Sequence, residues 1–305
     1  MRRFLCFFLV LAVCFCAACA EDGFTGFVEE DVTAECPPAE YTFTGKRVSA
    51  QYASDTAVWT IESFTWDRAF CLLTKLWVKD PARQIRKVNA PWGEDLGWTP
   101  DLALQIPGTI LAVNASGFVT KAYPEIPENW PGESADYYNT TLGSLVVTDG
   151  EILRNLEDVP YYGLALTEGG IVLYRGADNG AVLAAEPVQT WAFYENCALQ
   201  VNGEDLLPEE GTWSFAKTRA ARTVIARVDR NNYLLLTVPY RDDSYGLSLY
   251  SINRFFSENF ETEWVYNLDG GYSTGLYYRT DKENARLTML IKSTQRVADV
   301  LCITE

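Results

Sequence analysis

The stretch Ala221–Val238, ARTVIARVDRNNYLLLTV, sets two runs rich in β-branched and apolar residues on either side of a polar turn holding Asn231-Asn232. Two such runs around a turn signal are a hairpin. The pattern recurs in SLVVTDGEILR (Ser144–Arg154), YGLALTEGGIVLYRG (Tyr162–Gly176) and CALQVNGEDL (Cys197–Leu206), with Asp149-Gly150, Gly169-Gly170 and Asn202-Gly203 at the turns. Towards the N-terminus, KRVSAQYAS, AVWTIESFTW and FCLLTKLWVKD also read as strands, and Trp66-Asp67-Arg68 is too short to form an element of its own. The chain closes on RLTMLIKS and VADVLCITE, again strand-like.

Helices are few. TPDLALQI is predicted to be a short helix capped by Thr99, with Pro100 in its first turn and Pro107-Gly108 ending it. SYGLSLYSINRFFSENF is the one sizeable amphipathic candidate, with Leu247, Tyr250, Phe255 and Phe256 on one face. A doubly wound parallel fold needs a helix between most strands. The fold class is therefore α+β: a single, strand-rich domain with few helices, built on a large mixed sheet or two packed sheets.

Arg2 and Arg3 precede an apolar run from Phe4 to Ala20, the pattern of a secretory signal over residues 1–20. Cys19 offers a lipoprotein site as the alternative. Residues 21–44 are acidic and weakly patterned, an N-terminal arm or linker, and the fold is expected over 45–305. No later run approaches the roughly 20 apolar residues of a spanning helix, so the mature chain is expected to be secreted or extracytoplasmic without an integral membrane span.

Removing Arg2 and Arg3 leaves 23 basic residues against 41 acidic ones, a formal charge near −18. Such a surface repels nucleic acid, so no nucleic-acid partner is expected. Outside the signal remain Cys36, Cys71, Cys197 and Cys302, compatible with two disulfides in any of three pairings; buried thiols are the alternative for Cys71 and Cys302. There is no histidine, which excludes Ser-His-Asp and Cys-His arrangements and leaves proton transfer to carboxylates, tyrosine, lysine or water.

Three segments put polar groups at strand ends. In VNASGF, Asn114 leaves an apolar strand beside small residues, as an Asx turn or a site group. In TRAART, Arg222 can grip an anion bidentately or pair with one of the many acids. In NLDGGYST, Asp269 is followed by Gly270-Gly271 and the hydroxyls of Ser273 and Thr274. Alone, this last segment is a common glycine turn.

In this order the segments closely resemble the phosphodiester glycosidase family, whose members release a sugar, N-acetylglucosamine among them, from a phosphodiester. The matching positions are Asn114 to Phe118, Gly143 to Gly150, Asn202-Gly203, Arg222-Thr223 and Asn267 to Ser273, within a resemblance running from about Phe70 to the C-terminus. Ala226 stands where the family commonly has Gly, and the loop from Lys121 to Asn139 departs from the family pattern.

The resemblance implies a hydrolase acting on a phosphorylated glycan or sugar phosphodiester. Asp269 would be nucleophile or base, Arg222 the phosphate clamp, and Asn114 with Ser273 the hydrogen-bonding groups. Gly270 and Gly271 would let the backbone close on substrate, with Thr223 and Thr274 completing the binding set. A phosphate leaving group needs little protonation, so the chemistry suits a site without histidine. No cofactor is required; the carboxylates could hold calcium or magnesium, but no ligand spacing demands a metal. Two rival readings are a non-catalytic glycan-binding module stacking sugars on Tyr123, Trp130, Tyr137 and Tyr138, and a phosphodiesterase releasing sugar 1-phosphate.

Overall fold

The computed structural model describes residues 36–121, 131, 137–209, 213–241, 244–281 and 284–305. The signal, the Cys19 site, the arm up to residue 35, Tyr123 and Trp130 lie outside the described residues.

The chain opens with β1 (Arg47–Ala53), β2 (Ala57–Trp66), β3 (Ala69–Val78), α1 (Pro81–Gln84), β4 (Ile85–Asn89), α2 (Thr99–Ala103) and β5 (Thr109–Asn114). A run of strands follows: β6 (Leu145–Thr148), β7 (Glu151–Asn155), β8 (Tyr161–Thr167), β9 (Gly170–Ala177), then α3 (Asn179–Leu183), β10 (Gln189–Ala192), β11 (Ala198–Val201) and β12 (Glu204–Asp205). It closes with α4 (Ser214–Lys217), β13 (Arg222–Arg227), β14 (Asn232–Val238), α5 (Leu249–Asn259), β15 (Trp264–Asn267), β16 (Leu276–Tyr278), β17 (Thr288–Ile291) and β18 (Asp299–Thr304).

The strands form three sheets, in the orders β1-β2-β3-β14-β13-β15-β11-β12, β7-β6-β10-β8-β9 and β17-β16-β5-β18-β4. Every pairing between these strands is antiparallel, so hairpins rather than crossover helices do most of the connecting. Asp149-Gly150 and Asn202-Gly203 both adopt positive φ, the conformation a two-residue hairpin turn requires. Asp67 and Arg68 do the same (φ 41° and 62°), making the β2–β3 turn that the sequence reading passed over.

The central strands of the first sheet are buried on both faces. Ile225 and Leu235 point into a core shared with Leu111 and Val113 of the third sheet and Leu164 and Trp191 of the second. Their neighbours Val224, Leu234 and Leu236 pack the other way, against Ile252, Phe255 and Phe256 of α5. This two-sided burial is why β14 reads as an unbroken apolar run rather than an alternating one. Ser248 caps α5, its hydroxyl accepting from Ser251 N, and each fully buried phenylalanine on the helix contributes on the order of 2 kcal/mol.

Some sequence expectations are corrected. Leu247 lies ahead of α5, its backbone bridging Ala220; Leu249 and Ile252 fill the helix face with Phe255 and Phe256. Thr99 is the first residue of α2, not its cap. Gly97 and Val297 exchange backbone bonds, which leaves Trp98 extended as the last non-helical residue. The four described cysteines are free thiols, Cys71, Cys197 and Cys302 being buried in separate apolar clusters, so the disulfide alternative falls. Residues 36–44 are docked on the fold: Asn231 and Asn232 hold the backbone of Cys36, Pro37 and Ala39, and Phe43 packs edge-on to Phe64 and Phe255.

Candidate active site

The segment from Asn267 to Leu276 leaves the first sheet at the end of β15 and enters the third at β16, so it crosses the seam between them. Backbone bonds hold the crossing on both sides. Leu268 N donates to Thr223 O and Gly271 N to Ala221 O, from β13 and its approach; Asp269 N donates to Ala115 O, just beyond β5. Asn114, fully buried, ties the three pieces together through its side chain. Its Nδ2 donates to Asp269 O at 2.7 Å, and its Oδ1 accepts from Thr223 Oγ1 at 2.8 Å and Gly275 N at 3.2 Å.

The two glycines serve different needs. A Cβ on Gly270 would lie 2.6 Å from Ala221 O, so the close approach of crossing to β13 excludes a side chain. Gly271 has φ +61°, and a Cβ there would meet no atom within 4 Å: space opens above it.

Asp269 is half-buried. Its Oδ1 accepts from Gly270 N at 2.8 Å, while Oδ2 is buried without a hydrogen-bond partner. Loss of hydration pushes its pKa up to about 7, against the opposing pull of the Ser273 hydroxyl and the Gly270 N–H; the charge of Asp299 adds to the rise. The carboxyl group therefore exchanges its proton near neutral pH, the range a general acid or base needs.

Arg222 is buried at the start of β13. Its Nε donates to Leu247 O (3.3 Å) and its Nη2 to Phe215 O (3.1 Å) and Thr218 O (2.8 Å), with the guanidinium 4.5 Å above the Phe215 ring. Nη1 takes no part in these bonds. Burial lowers its pKa to about 10, so it stays cationic at neutral pH, within electrostatic reach of Asp269. Ser273, also buried, accepts from Gln295 Nε2 at 2.9 Å, and the buried Thr274 hydroxyl has no partner. Asn114, Thr223, Asp269, Gly270, Gly271, Ser273 and Thr274 thus meet at one crossing, with Arg222 beside it.

The sequence reading missed a second buried acid on the other side of the Asn114–Ser116 segment. Asp299, the first residue of β18, accepts from Ser116 N (2.6 Å) and Ser116 Oγ (2.7 Å) and pairs with the fully buried Lys87 of β4 at 3.2 Å. Lys87 also donates to Thr190 O at 2.7 Å, and burial lowers its pKa against the pull of Asp299. An acid and a lysine inside separate apolar strands give no local signal, because nothing in either strand shows that the two meet.

Of the aromatics considered as a glycan platform, Tyr137 is 5% exposed and stacks on the Arg154 guanidinium, so its face is not free. Among the described residues, no cluster of three or more acids or cysteines could hold a metal ion. An open cleft lined by Gln200, Asn202, Ser257, Glu261, Thr262 and Glu263 contains none of the site residues.

The family model for phosphodiester glycosidase matches residues 107–304, which include every residue of the crossing. Among solved structures, the catalytic domain of zebrafish N-acetylglucosamine-1-phosphodiester alpha-N-acetylglucosaminidase, auto-inhibited by its pro-peptide, has a TM-score of 0.60 at 17% identity, over 87% of this chain and 88% of that one. A hypothetical protein from Synechocystis has a TM-score of 0.54 at 14% identity, over 82% of this chain and 62% of that one. A Burkholderia pseudomallei protein described as exported has a TM-score of 0.50 at 12% identity, over 78% and 74%. At these identities the likeness is one of fold. No curated protein matches the chain in sequence.

Proposed function

Because the chain belongs to the phosphodiester glycosidase family, we propose that it hydrolyses the bond between the anomeric carbon of a sugar and the phosphate of a glycosyl phosphodiester, with N-acetylglucosamine the first sugar to test. The observation that carries this reading is the Asp269 carboxyl: largely buried, with Oδ2 unpartnered and proton exchange near neutral pH, at the seam where two sheets meet.

In the proposed reaction water attacks the anomeric carbon, and Asp269 as carboxylate takes its proton. The C–O bond to phosphate breaks with its electron pair passing to the phosphate oxygen, so free sugar and a phosphate monoester leave. That leaving group is a weak base and departs without a strong general acid. The Arg222 cation offsets the charge gathering on phosphate, with Nη1 as the nitrogen left to face it. Asn114 and Thr223 act as positioning residues, since their polar groups are already bonded to the crossing itself. Ser273 sets the Asp269 carboxyl from one side.

We further propose export, reading residues 1–20 as the signal, and a glycan of the envelope or extracellular space as substrate. The test is product analysis on a synthetic N-acetylglucosamine 1-phosphate diester in oxygen-18 water. Free sugar carrying the label at C1 is the expected result. Sugar 1-phosphate would move the attack to phosphorus and overturn the reading, and an absence of turnover across a panel of glycosyl phosphodiesters would leave a binding module.

A further inference from the structure

The connection between β17 and β18 is bonded to the 3₁₀ turn Gly271–Ser273 of the crossing. Its backbone is pinned at several points. Ser293 N donates to the Tyr277 hydroxyl at 3.2 Å, Thr294 N and Gln295 N to Tyr272 O at 2.8 and 3.2 Å, and Val297 N to Gly97 O at 2.8 Å. None of these bonds uses the side chain of Gln295. That half-buried side chain reaches the site instead: its Nε2 donates to the buried Ser273 Oγ at 2.9 Å.

A serine hydroxyl has one proton, and an amide nitrogen can only donate. With Gln295 Nε2 donating to Ser273 Oγ, the serine proton must point elsewhere. An acceptor within its reach is the Asp269 carboxyl, whose ionised form the Ser273 hydroxyl favours. Donation to the serine oxygen also polarises its O–H, so the second bond of such a chain is stronger than it would be alone. The other charged and titratable groups that act on Asp269 come from other elements. Arg222 at the start of β13 favours the carboxylate, Asp299 at the start of β18 opposes it, and the Cys197 thiol just ahead of β11 is buried within electrostatic reach. One connection thus brings both an aid and an opponent to the carboxylate: Gln295 through Ser273 and, 4 residues on, Asp299.

We propose that Gln295 is a positioning residue of the active site: by donating to Ser273 Oγ it turns the serine hydroxyl to the Asp269 carboxyl and stabilises the carboxylate that takes the proton from water. The catalytic consequence rests on the phosphodiester glycosidase reading, whereas the relay itself rests on the hydrogen bonds and can be tested without turnover. A side chain that merely filled space would, when changed, alter stability or the height of the rate profile. The relay instead sets the pH at which Asp269 releases its proton.

Gln295→Met keeps the length of the side chain and the backbone bonds and removes the donor. The test follows the Asp269 carboxyl by NMR in protein carbon-13-labelled at its aspartate carboxyls, with Asp269→Asn assigning the signal. In Gln295→Met the titration should move up by about 0.7 of a pH unit, the size of one ordinary hydrogen bond. Gln295→Glu, which presents an acceptor in place of the donor, should move it further in the same direction. For an N-acetylglucosamine 1-phosphate diester, kcat/KM of Gln295→Met should be about fivefold below wild type at pH 6 and less than about twofold below it at pH 8.5. Ser273→Ala should move the titration at least as far, and adding Gln295→Met to it should move it no further, because the link is already cut. An unmoved titration in both Gln295 variants, or a further shift in the double variant as large as that in Gln295→Met alone, overturns the proposal whether or not any diester is cleaved. The expected shifts in a protein that cleaves none of a panel of glycosyl phosphodiesters uphold the relay and overturn the glycosidase reading.

Discussion

Replacing Asp269 with Asn should abolish most activity and, at the same time, stabilise the protein. Desolvation raises the carboxyl from its ordinary 3.8 to about 7. Between those values the folded state holds a proton that the unfolded chain has released, so wild-type stability falls as pH rises through that window and the cost is complete above about 7. The interval is roughly three decades of proton affinity, or about 4 kcal/mol at about 1.36 kcal/mol per decade. Because Asp269 is half-buried, we discount this to about 2 kcal/mol. Asn keeps the acceptor for Gly270 N and carries no charge, so it should recover that amount at pH 8, a rise of roughly 5 °C in Tm. Matched thermal and urea melts at pH 8 and pH 4 check it: the stabilisation should be present at the first and nearly absent at the second. Loss of the base should lower kcat by at least about 10²-fold. A variant no more stable than wild type at pH 8, or stabilised equally at both pH values, would refute the desolvated-carboxylate account of the site.

Activity itself should follow the same group: with Asp269 acting as base, kcat/KM should rise with pH through about 7 and level off above, whereas a profile falling through 7 would make it the acid. Gly270→Ala forces a Cβ to 2.6 Å from Ala221 O and should lower kcat by about 10²-fold through displacement of the crossing, while Gly271→Ala, with open space but φ +61°, should cost about 1 kcal/mol of stability and less rate. Lys87→Met strands Asp299 in the core and should cost about 3–5 kcal/mol in denaturant melts, part of which Lys87→Met/Asp299→Leu should recover. Treatment with EDTA should leave the rate unchanged, because among the described residues Asp299 is already saturated by Ser116 and Lys87, and Asp269 alone at the crossing would hold a divalent cation poorly; a more than tenfold gain on adding calcium or magnesium would contradict this.

The strand-rich α+β class was legible because hairpin turns announce themselves locally: Asp149-Gly150 and Asn202-Gly203 need positive φ and carry residues that tolerate it. The division into three sheets was not, since it depends on which strands pair across long separations, as β14 does with β3 and β16 with β5. The crossing residues were identified by their motif, but their tasks could not be read from it. Asn114 looks the same in sequence whether its amide faces a sugar or, as here, Asp269 O, Thr223 Oγ1 and Gly275 N. Arg222 likewise reads as a free anion clamp, yet three carbonyls fix its guanidinium in place. Thr99 failed as a cap because the preceding turn was set by a backbone pairing with Val297, nearly 200 positions away.

Two acids flank the single strand end from Asn114 to Ser116, and their surroundings divide the work between them. Asp299 receives an N–H, a hydroxyl and a lysine, so both its oxygens are satisfied and its side chain is held in place. Asp269 receives one N–H on Oδ1, feels the Ser273 hydroxyl nearby and has no bond on Oδ2, and it is the less buried of the two acids. The Asp299 charge behind the strand makes ionisation of the acid in front harder, one of the causes of its raised pKa. A protein without histidine can in this way obtain a neutral-pH proton acceptor from an ordinary aspartate, by withholding hydration and holding a second negative charge nearby. On the proposed reaction, the Lys87–Asp299–Ser116 cluster acts on Asp269 across the strand end it braces. Asp299→Asn should shift the kcat/KM profile to lower pH, whereas a bracing role alone would lower the plateau without moving the midpoint.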